Sequence, residues 1–315
     1  MSLATTIELY PGVWQLRIPF TTSRLGYVFS YLIEDSTGDV HLIDPGPAHP
    51  DAWAALTGGF ESVGHRIDEV RSVLLTHLHH DHAGAATRVR SVSGAVVLLH
   101  ERDAVDLHRF RPYSQCLERM DGWGVPEDAQ GDIRRSVDQA FASTLVRGAA
   151  DGVIADGEIL DIPGRRIEAV WTPGHTRGHL VFADAGQGAL FTGDHLLPRI
   201  TPGIGLGMLG DENPIEEYLW SLARMSRFES FRAHPGHEHS FSGISHRCLQ
   251  LRDRHERRGE GLRVLAEESP GASLWDLTRA LPWSHGWDSV SGHHQLSALV
   301  QTEAQRARLI DHRGE

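Results

Sequence analysis

Residues 76–84 of this chain read THLHHDHAG, and the block H-x-H-x-D-H inside them constrains the fold more than any other stretch. It follows the apolar run Val73, Leu74, Leu75, which reads as a buried strand at the point where the chain leaves its sheet. His77 and His79 stand two residues apart, so in extended chain both imidazoles project to one side. Asp81 and His82 fall past the turn, ahead of an alanine-rich run that reads as a helix start. The segment therefore offers two ligand groups to each of two neighbouring positions. Neutral imidazole and carboxylate suit zinc and similar divalent metals. Histidine makes up 21 of 315 residues, so the competing reading is a solvated, His-rich loop. The choice between the two rests on partners further along the chain.

Those partners occur three times, each where an expected strand stops. Residues 172–179 read TPGHTRGH and place His175 in a Gly/Pro turn after the run 166–171. Residues 191–195 read FTGDH, with Asp194 immediately after another run. Residues 235–237 read PGH, with His237 following a third. A sheet protein collects its strand ends at one edge, so groups more than 150 residues apart can converge. Asp44, in the segment IDPG at 43–46, is a further carboxylate at a strand exit. Its alternative role is an ordinary turn-capping aspartate.

Length and composition bound the rest. A chain of 315 residues can bury a full core, as one large domain or a domain with an appendage. No apolar run approaches the roughly 20 residues that span a bilayer, and no signal peptide is visible, so the expected compartment is the cytoplasm. Cys116 and Cys248 are far apart and form no paired motif. A formal net charge of −12 argues against a general nucleic-acid binder. All 30 basic residues are arginine, which removes Schiff-base chemistry and a phosphate-loop lysine. No G-x-S-x-G nucleophile motif is present.

The coarse organisation is mixed. Short β-rich runs are expected at 7–10, 13–18, 27–33, 40–43, 71–75, 95–99, 153–154, 158–162, 166–171, 180–183, 189–192 and 230–233, with helices at 51–62, 83–92 and 213–227. Asn213 reads as the N-cap of the last of these, with Pro214 at its first position. Residues 101–149 lose the β pattern and read as an α-helical insertion over the site. Within it Arg109, Arg111, Tyr113 and Trp123 are the guessed substrate contacts, because they offer cations and aromatic faces. The literal G-x-G-x-x-G at Gly205, Gly207 and Gly210 is rejected as a dinucleotide site. No strand leads into it, and Asp211 and Glu212 would repel a pyrophosphate. It is expected as a flexible loop at the rim of the site. From residue 244 three helices are expected (244–268, 273–281, 289–309), giving a catalytic domain at 1–243 and a C-terminal helical module at 244–315.

Taken in order, IDPG, H-x-H-x-D-H, T-P-G-H-T-x-G-H, T-G-D and P-G-H make the chain similar to the metallo-β-lactamase-fold hydrolase superfamily over residues 27–240. The helical C-terminus resembles, more loosely, the lactamase-β-2-like subgroup. The resemblance implies an α+β fold, a four-layer αβ/βα sandwich with a dinuclear metal site at one edge of its two sheets. It implies one zinc on His77, His79 and His175, a second on Asp81, His82 and His237, and Asp194 bridging both, with Asp81 and Asp194 as the catalytic carboxylates. Iron or manganese could replace zinc. Asp44 and His179 would support the ligands from behind. The implied reaction is attack by a metal-bridging hydroxide on a small ester, thioester, lactone or related acyl substrate; two metals about 3.5–4 Å apart suit that chemistry.

Three other readings stay open at this point. A nuclease is suggested by the six arginines against three acids between residues 247 and 263, and by Arg252, Arg254, Arg257 and Arg258 among them. The plainer account of that run is a solvated helix face with i,i+4 pairs. A single-iron persulfide-dioxygenase type would use His77, His175 and Asp194. A metal-binding scaffold without catalysis is the non-enzyme alternative. Di-iron redox relatives carry Glu where this chain has His79, which favours hydrolysis. The expected partner is a small molecule, with nucleic acid not favoured, no membrane, and the oligomeric state open.

Overall fold

The computed structural model describes residues 5–20, 25–109, 114–142, 150–205, 212–283 and 286–311, without the side chains at 108–109, 139–142 and 311. The chain begins with four strands, β1 (Thr6–Tyr10), β2 (Val13–Phe20), β3 (Gly26–Glu34) and β4 (Val40–Ile43), paired antiparallel in sequence order. Helix α1 (Pro50–Ser62) leads to β5 (Val70–Leu74), which lies parallel to β4. Two short helices, α2 (His80–Ala83) and α3 (Ala86–Ser93), precede β6 (Val96–His100). Then come α4 (Glu101–Arg109), α5 (Ser114–Glu118), α6 (Glu127–Ala142) and β7 (Gly152–Ile154). Strands β5, β6 and β7 are parallel and complete a seven-stranded sheet in the order β1 to β7.

The second sheet holds β8 (Ile167–Trp171), β9 (Leu180–Asp184), β10 (Ala189–Gly193) and β11 (Arg232–Pro235), in the order β11-β10-β9-β8. Helix α7 (Pro214–Arg224) links β10 to β11, whose pairing is parallel. Three helices follow: α8 (Ile244–Glu268), α9 (Leu274–Ala280) and α10 (His293–Asp311).

Period-2 patterning explains the layers. Phe29, Tyr31 and Ile33 of β3 face the core between the sheets with Leu74, Phe182 and Phe191. Val28 and Leu32 face the other way, joining Val73 and Leu75 against Leu56 and Phe60 of α1 and Val89 of α3. Val170, Val181 and Leu190 pack in turn on Tyr218 and Leu222 of α7 and on Leu251 of α8. Helix, sheet, sheet, helix is the resulting order, the expected αβ/βα sandwich. Strands buried on both faces read as continuous apolar runs, which is why Val73, Leu74 and Leu75 stand together.

Two local expectations are corrected. The stretch 158–162 forms no named strand; it makes one isolated bridge, Ile159 with Glu168. The amide of Ile162 turns back to Leu160, and Pro163 next in line has no N–H for a ladder. The helix expected at 83–92 is broken into α2 and α3. Gly46 N–H donates to His82 O, and Ala85 N–H donates to Gly46 O. Those bonds pin the segment between the two helices to the Asp44–Gly46 turn. Asn213 does cap α7, accepting from Ile215 N at 3.0 Å and Glu216 N at 3.4 Å.

The insertion and the C-terminal helices share one apolar cluster: Met120, Trp123, Ile133 and Val137 with Trp275, Leu296, Leu299 and Val300. Among the described residues, no helix is long and apolar enough to cross a membrane.

Candidate metal centre

The strand ends of both sheets meet at one edge, and seven side chains converge there. His77 and His79 leave β5, Asp81 and His82 lie in α2, His175 follows β8, Asp194 follows β10, and His237 follows β11. His77 Nε2 lies 2.9 Å from His79 Nδ1, and His175 Nε2 lies 3.0 Å from the same atom. His237 Nε2 is 3.4 Å from Asp81 Oδ2, and His82 Nε2 is 3.8 Å from it. Asp194 stands between the groups. Its Oδ2 is 3.7 Å from His175 Nε2, while its Oδ1 is 3.4 Å from His82 Nε2 and 3.5 Å from His237 Nε2. His77–His79–His175, His77–His82–Asp194 and Asp81–His82–His237 are each compact enough to hold a metal ion, their ligand atoms lying within 4.8 Å of one another.

The hydrogen bonds behind these rings fix which nitrogen faces inward. His175 Nδ1 donates to Gly203 O at 2.6 Å, and His237 Nδ1 donates to Tyr27 O at 3.0 Å. A carbonyl cannot donate, so both rings carry a hydrogen on Nδ1 and turn Nε2 inward. His82 Nδ1 donates to Asp44 Oδ2 at 2.8 Å, with the same consequence. Thr76 Oγ1 gives its hydrogen to Asp44 Oδ2 at 2.6 Å and receives one from His77 Nδ1 at 3.0 Å. The inward atoms of His77 and His175 are therefore bare lone pairs, each about 3 Å from His79 Nδ1. One hydrogen on His79 cannot satisfy both. Asp194 Oδ1 and His82 Nε2 are likewise buried without a hydrogen-bond partner. Crowded lone pairs and carboxylate oxygens are relieved by cations, and the donor set fits divalent metal.

Burial and charge sort the rings into two kinds. Burial holds the His77 imidazolium well below its usual range and drives His79 down to about 3. His175 is also lowered by burial. Burial opposes charge on His82 and His237 too, but the carboxylates of Asp194 and Asp81 outweigh it and raise both. The same pairing holds Asp81 and Asp194 as carboxylates, with pKa values lowered against the cost of burial.

Asp44, expected behind the ligands, also accepts Thr76 N–H at 2.8 Å, and its backbone adopts φ 52°. A left-handed aspartate costs strain that its bonds to Thr76 and His82 must offset. His179 accepts Asp194 N–H on Nε2 at 3.2 Å and is buried. Gly236 makes room between the two sides. A Cβ there would sit 2.5 Å from His82 Cε1 and 2.9 Å from Asp194 Oδ1.

Other expectations resolve differently. Trp123 is 3 % exposed in the cluster shared with the C-terminal helices, and its Nε1 donates to Glu303 at 2.9 Å. Its ring is occupied by packing, so it is withdrawn as a guessed substrate contact. The Arg109 side chain, Arg111 and Tyr113 lie outside the described residues, as do Gly207 and Gly210. His234 is turned away from the site, with Tyr10 Oη at 3.0 Å and Ser240 Oγ at 2.8 Å. His195, next to Asp194, is fully buried against the Tyr218 ring. Asp103 was not anticipated. It accepts Leu78 N–H at 2.9 Å, Gly178 N–H at 2.6 Å and Thr176 Oγ1 at 2.9 Å, tying the first histidine block to the second. Burial pushes its carboxyl up to about 7, against the pull of those donors. The one sequence signal was an aspartate just past a strand end, at the start of α4.

The sequence model of the metallo-beta-lactamase superfamily matches residues 23–241. The chain belongs to this superfamily, and with it to the metal-dependent hydrolases. It is 26% identical over 272 residues to a Bacillus subtilis protein named "Probable metallo-hydrolase YqjP", covering 81% of this chain and 80% of that one. A hydroxyacylglutathione hydrolase of Pseudomonas paraeruginosa is 26% identical over 220 residues, 69% of this chain and 64% of the relative. A crystal structure of a metallo-beta-lactamase family protein from Thermus thermophilus superposes with a TM-score of 0.82 at 28% identity, covering 97% of this chain and 95% of that one.

Proposed function

We propose that this superfamily member is a dinuclear hydrolase of small acyl substrates, with His77, His79 and His175 holding one metal, Asp81, His82 and His237 the other, and Asp194 spanning the two. The observation that carries this reading is the division of Asp194: Oδ2 faces His175, and Oδ1 faces His82 and His237. Two zinc-type ions held there would supply an acidified water as nucleophile and polarise the substrate carbonyl.

The chain's own part is orientation. Gly203, Tyr27, Thr76 and Asp44 lock four imidazoles with Nε2 inward. Asp81 and Asp194 stay ionised and supply the negative charge that the ions require. Thioesters head the substrate list, because the hydroxyacylglutathione hydrolase relative bears a name of that class. That relative is matched over 64% of its length.

The nuclease reading is weakened in part by contacts made in α8. Arg263 is engaged by Glu260 and Glu267, Arg308 of α10 reaches Glu256, and Arg258 lies 3.8 Å over the Trp283 ring. Two arginines of the run, Arg258 and Arg263, are thus engaged within the protein, while Arg252, Arg254 and Arg257 are exposed.

A panel of thioester, ester, lactone, β-lactam and phosphodiester substrates tests the proposal on metal-loaded protein. Turnover of an acyl member, lost on chelation and regained with zinc, is expected. Phosphodiester cleavage with no acyl turnover would overturn it.

A further inference from the structure

Helix α10 belongs to the C-terminal segment, yet it runs beside the metal centre. At Val300 it abuts the loop that holds His175: a Cβ on Gly205 would lie 3.0 Å from Val300 Cγ1. Gly205 N–H donates to Gly174 O at 2.7 Å, and Gly203 two residues earlier is the acceptor for His175 Nδ1. His293, Ser297 and Val300 follow the i, i+4, i+7 spacing and share one face of α10. His293 therefore stands about 10 Å along the axis from the His175 side. At that end it comes within electrostatic reach of His80 and Asp81. The face thus passes from one half of the centre to the other.

His293 is held in a defined tautomer. Ser136 Oγ, on α6 of the insertion, accepts the His293 backbone N–H at 3.1 Å and lies 2.9 Å from His293 Nδ1. Ser136 has no other hydrogen-bond partner among the described residues, so its hydroxyl hydrogen goes to Nδ1. Burial brings the imidazolium down to about 4, leaving the ring neutral near pH 7 with its hydrogen on Nε2. Nε2 has no protein partner among the described residues, and the residue is only half-buried.

We propose that His293, oriented by Ser136, is a specificity-determining residue whose Nε2–H donates a hydrogen bond to a carbonyl, hydroxyl or carboxylate oxygen of the substrate away from the bond that breaks. This rests on the hydrolase reading above. A polar substrate body is favoured over a plain hydrocarbon one, and the insertion and α10 together build that wall of the site.

Metal-loaded wild type, His293→Phe, His293→Gln and Ser136→Ala are compared on a hydroxyacyl-glutathione thioester and on phenyl thioacetate, which carries only the scissile carbonyl. His293→Phe is expected to raise KM for the glutathione thioester about tenfold, with kcat little changed and phenyl thioacetate kinetics within about twofold of wild type. His293→Gln, which keeps an N–H donor, should recover most of the loss, and Ser136→Ala should fall between. Equal losses on both substrates, or no loss on either, overturn the assignment. If His293→Phe fails to fold or to hold metal, the Gln and Ala variants decide by the same contrast. If the wild type turns over only esters or lactones, the comparison is read between a hydroxylated and a plain member of that class. A wild type inactive on every acyl substrate removes the hydrolase reading itself, and this assignment with it.

Discussion

Asp44 Oδ2 lies 2.8 Å from His82 Nδ1 and 2.6 Å from the hydroxyl of Thr76, which in turn receives the His77 Nδ1 hydrogen. One carboxylate thereby orients a histidine from each half of the centre. Asp44→Ala should lower metal affinity by about ten- to a hundredfold while the protein still folds. Competition with a chelator of known affinity measures this, and unchanged affinity would remove Asp44 from its supporting role.

Asp103 staples the loop carrying His77 and His79 to the turn after His175. Asp103→Ala leaves the amides of Leu78 and Gly178 and the hydroxyl of Thr176 without their acceptor. Orphaned buried donors cost about 1–3 kcal/mol each, and partial relaxation brings the expected total to about 3 kcal/mol. Urea denaturation reads it, and Asp103→Asn should lose less because one amide oxygen still accepts.

Much of this site was legible in the sequence, for a physical reason. Ligand-type residues at His77, Asp194 and His237 each follow an expected strand, and strand ends gather at one sheet edge. Other features were not legible, because they depend on contacts between distant segments. Nothing local to Asp103 shows that three donors will meet it. Trp123 reads as an aromatic face on offer, but Leu296, Leu299 and Trp275, more than 150 residues away, bury it. The break between α2 and α3 is set by bonds to Gly46, not by helix propensity in the run 83–92.

Gly236→Ala should separate metal binding from folding. The new methyl would press on His82 and Asp194 together, from a position at 2.5 Å and 2.9 Å respectively. Far-UV circular dichroism should be unchanged while bound metal falls severalfold. Full metal content in the variant would show that the centre can widen without cost.

His255 gives the stability a pH dependence away from the centre. It is 2 % exposed against the Tyr218 ring, and burial, with Arg258 and Arg254 adding to it, lowers its pKa from 6.5 to about 4. The unfolded chain therefore takes up a proton before the folded one as pH falls. Stability should drop from about pH 6.5 towards pH 4 and be flat above, at no more than about 1.4 kcal/mol per pH unit for this one group. His255→Phe should shallow that slope in denaturation curves taken from about pH 4 to 8; an unchanged slope would mean the ring is not held neutral.

The most direct test is the metal stoichiometry of the purified chain beside that of Asp194→Ala, read by mass spectrometry after zinc loading and removal of free ion. About two ions per wild-type chain are expected, with most of both lost from the variant because one carboxylate faces both groups. A single ion in the wild type, or an Asp194→Ala protein that keeps two, would contradict a shared centre.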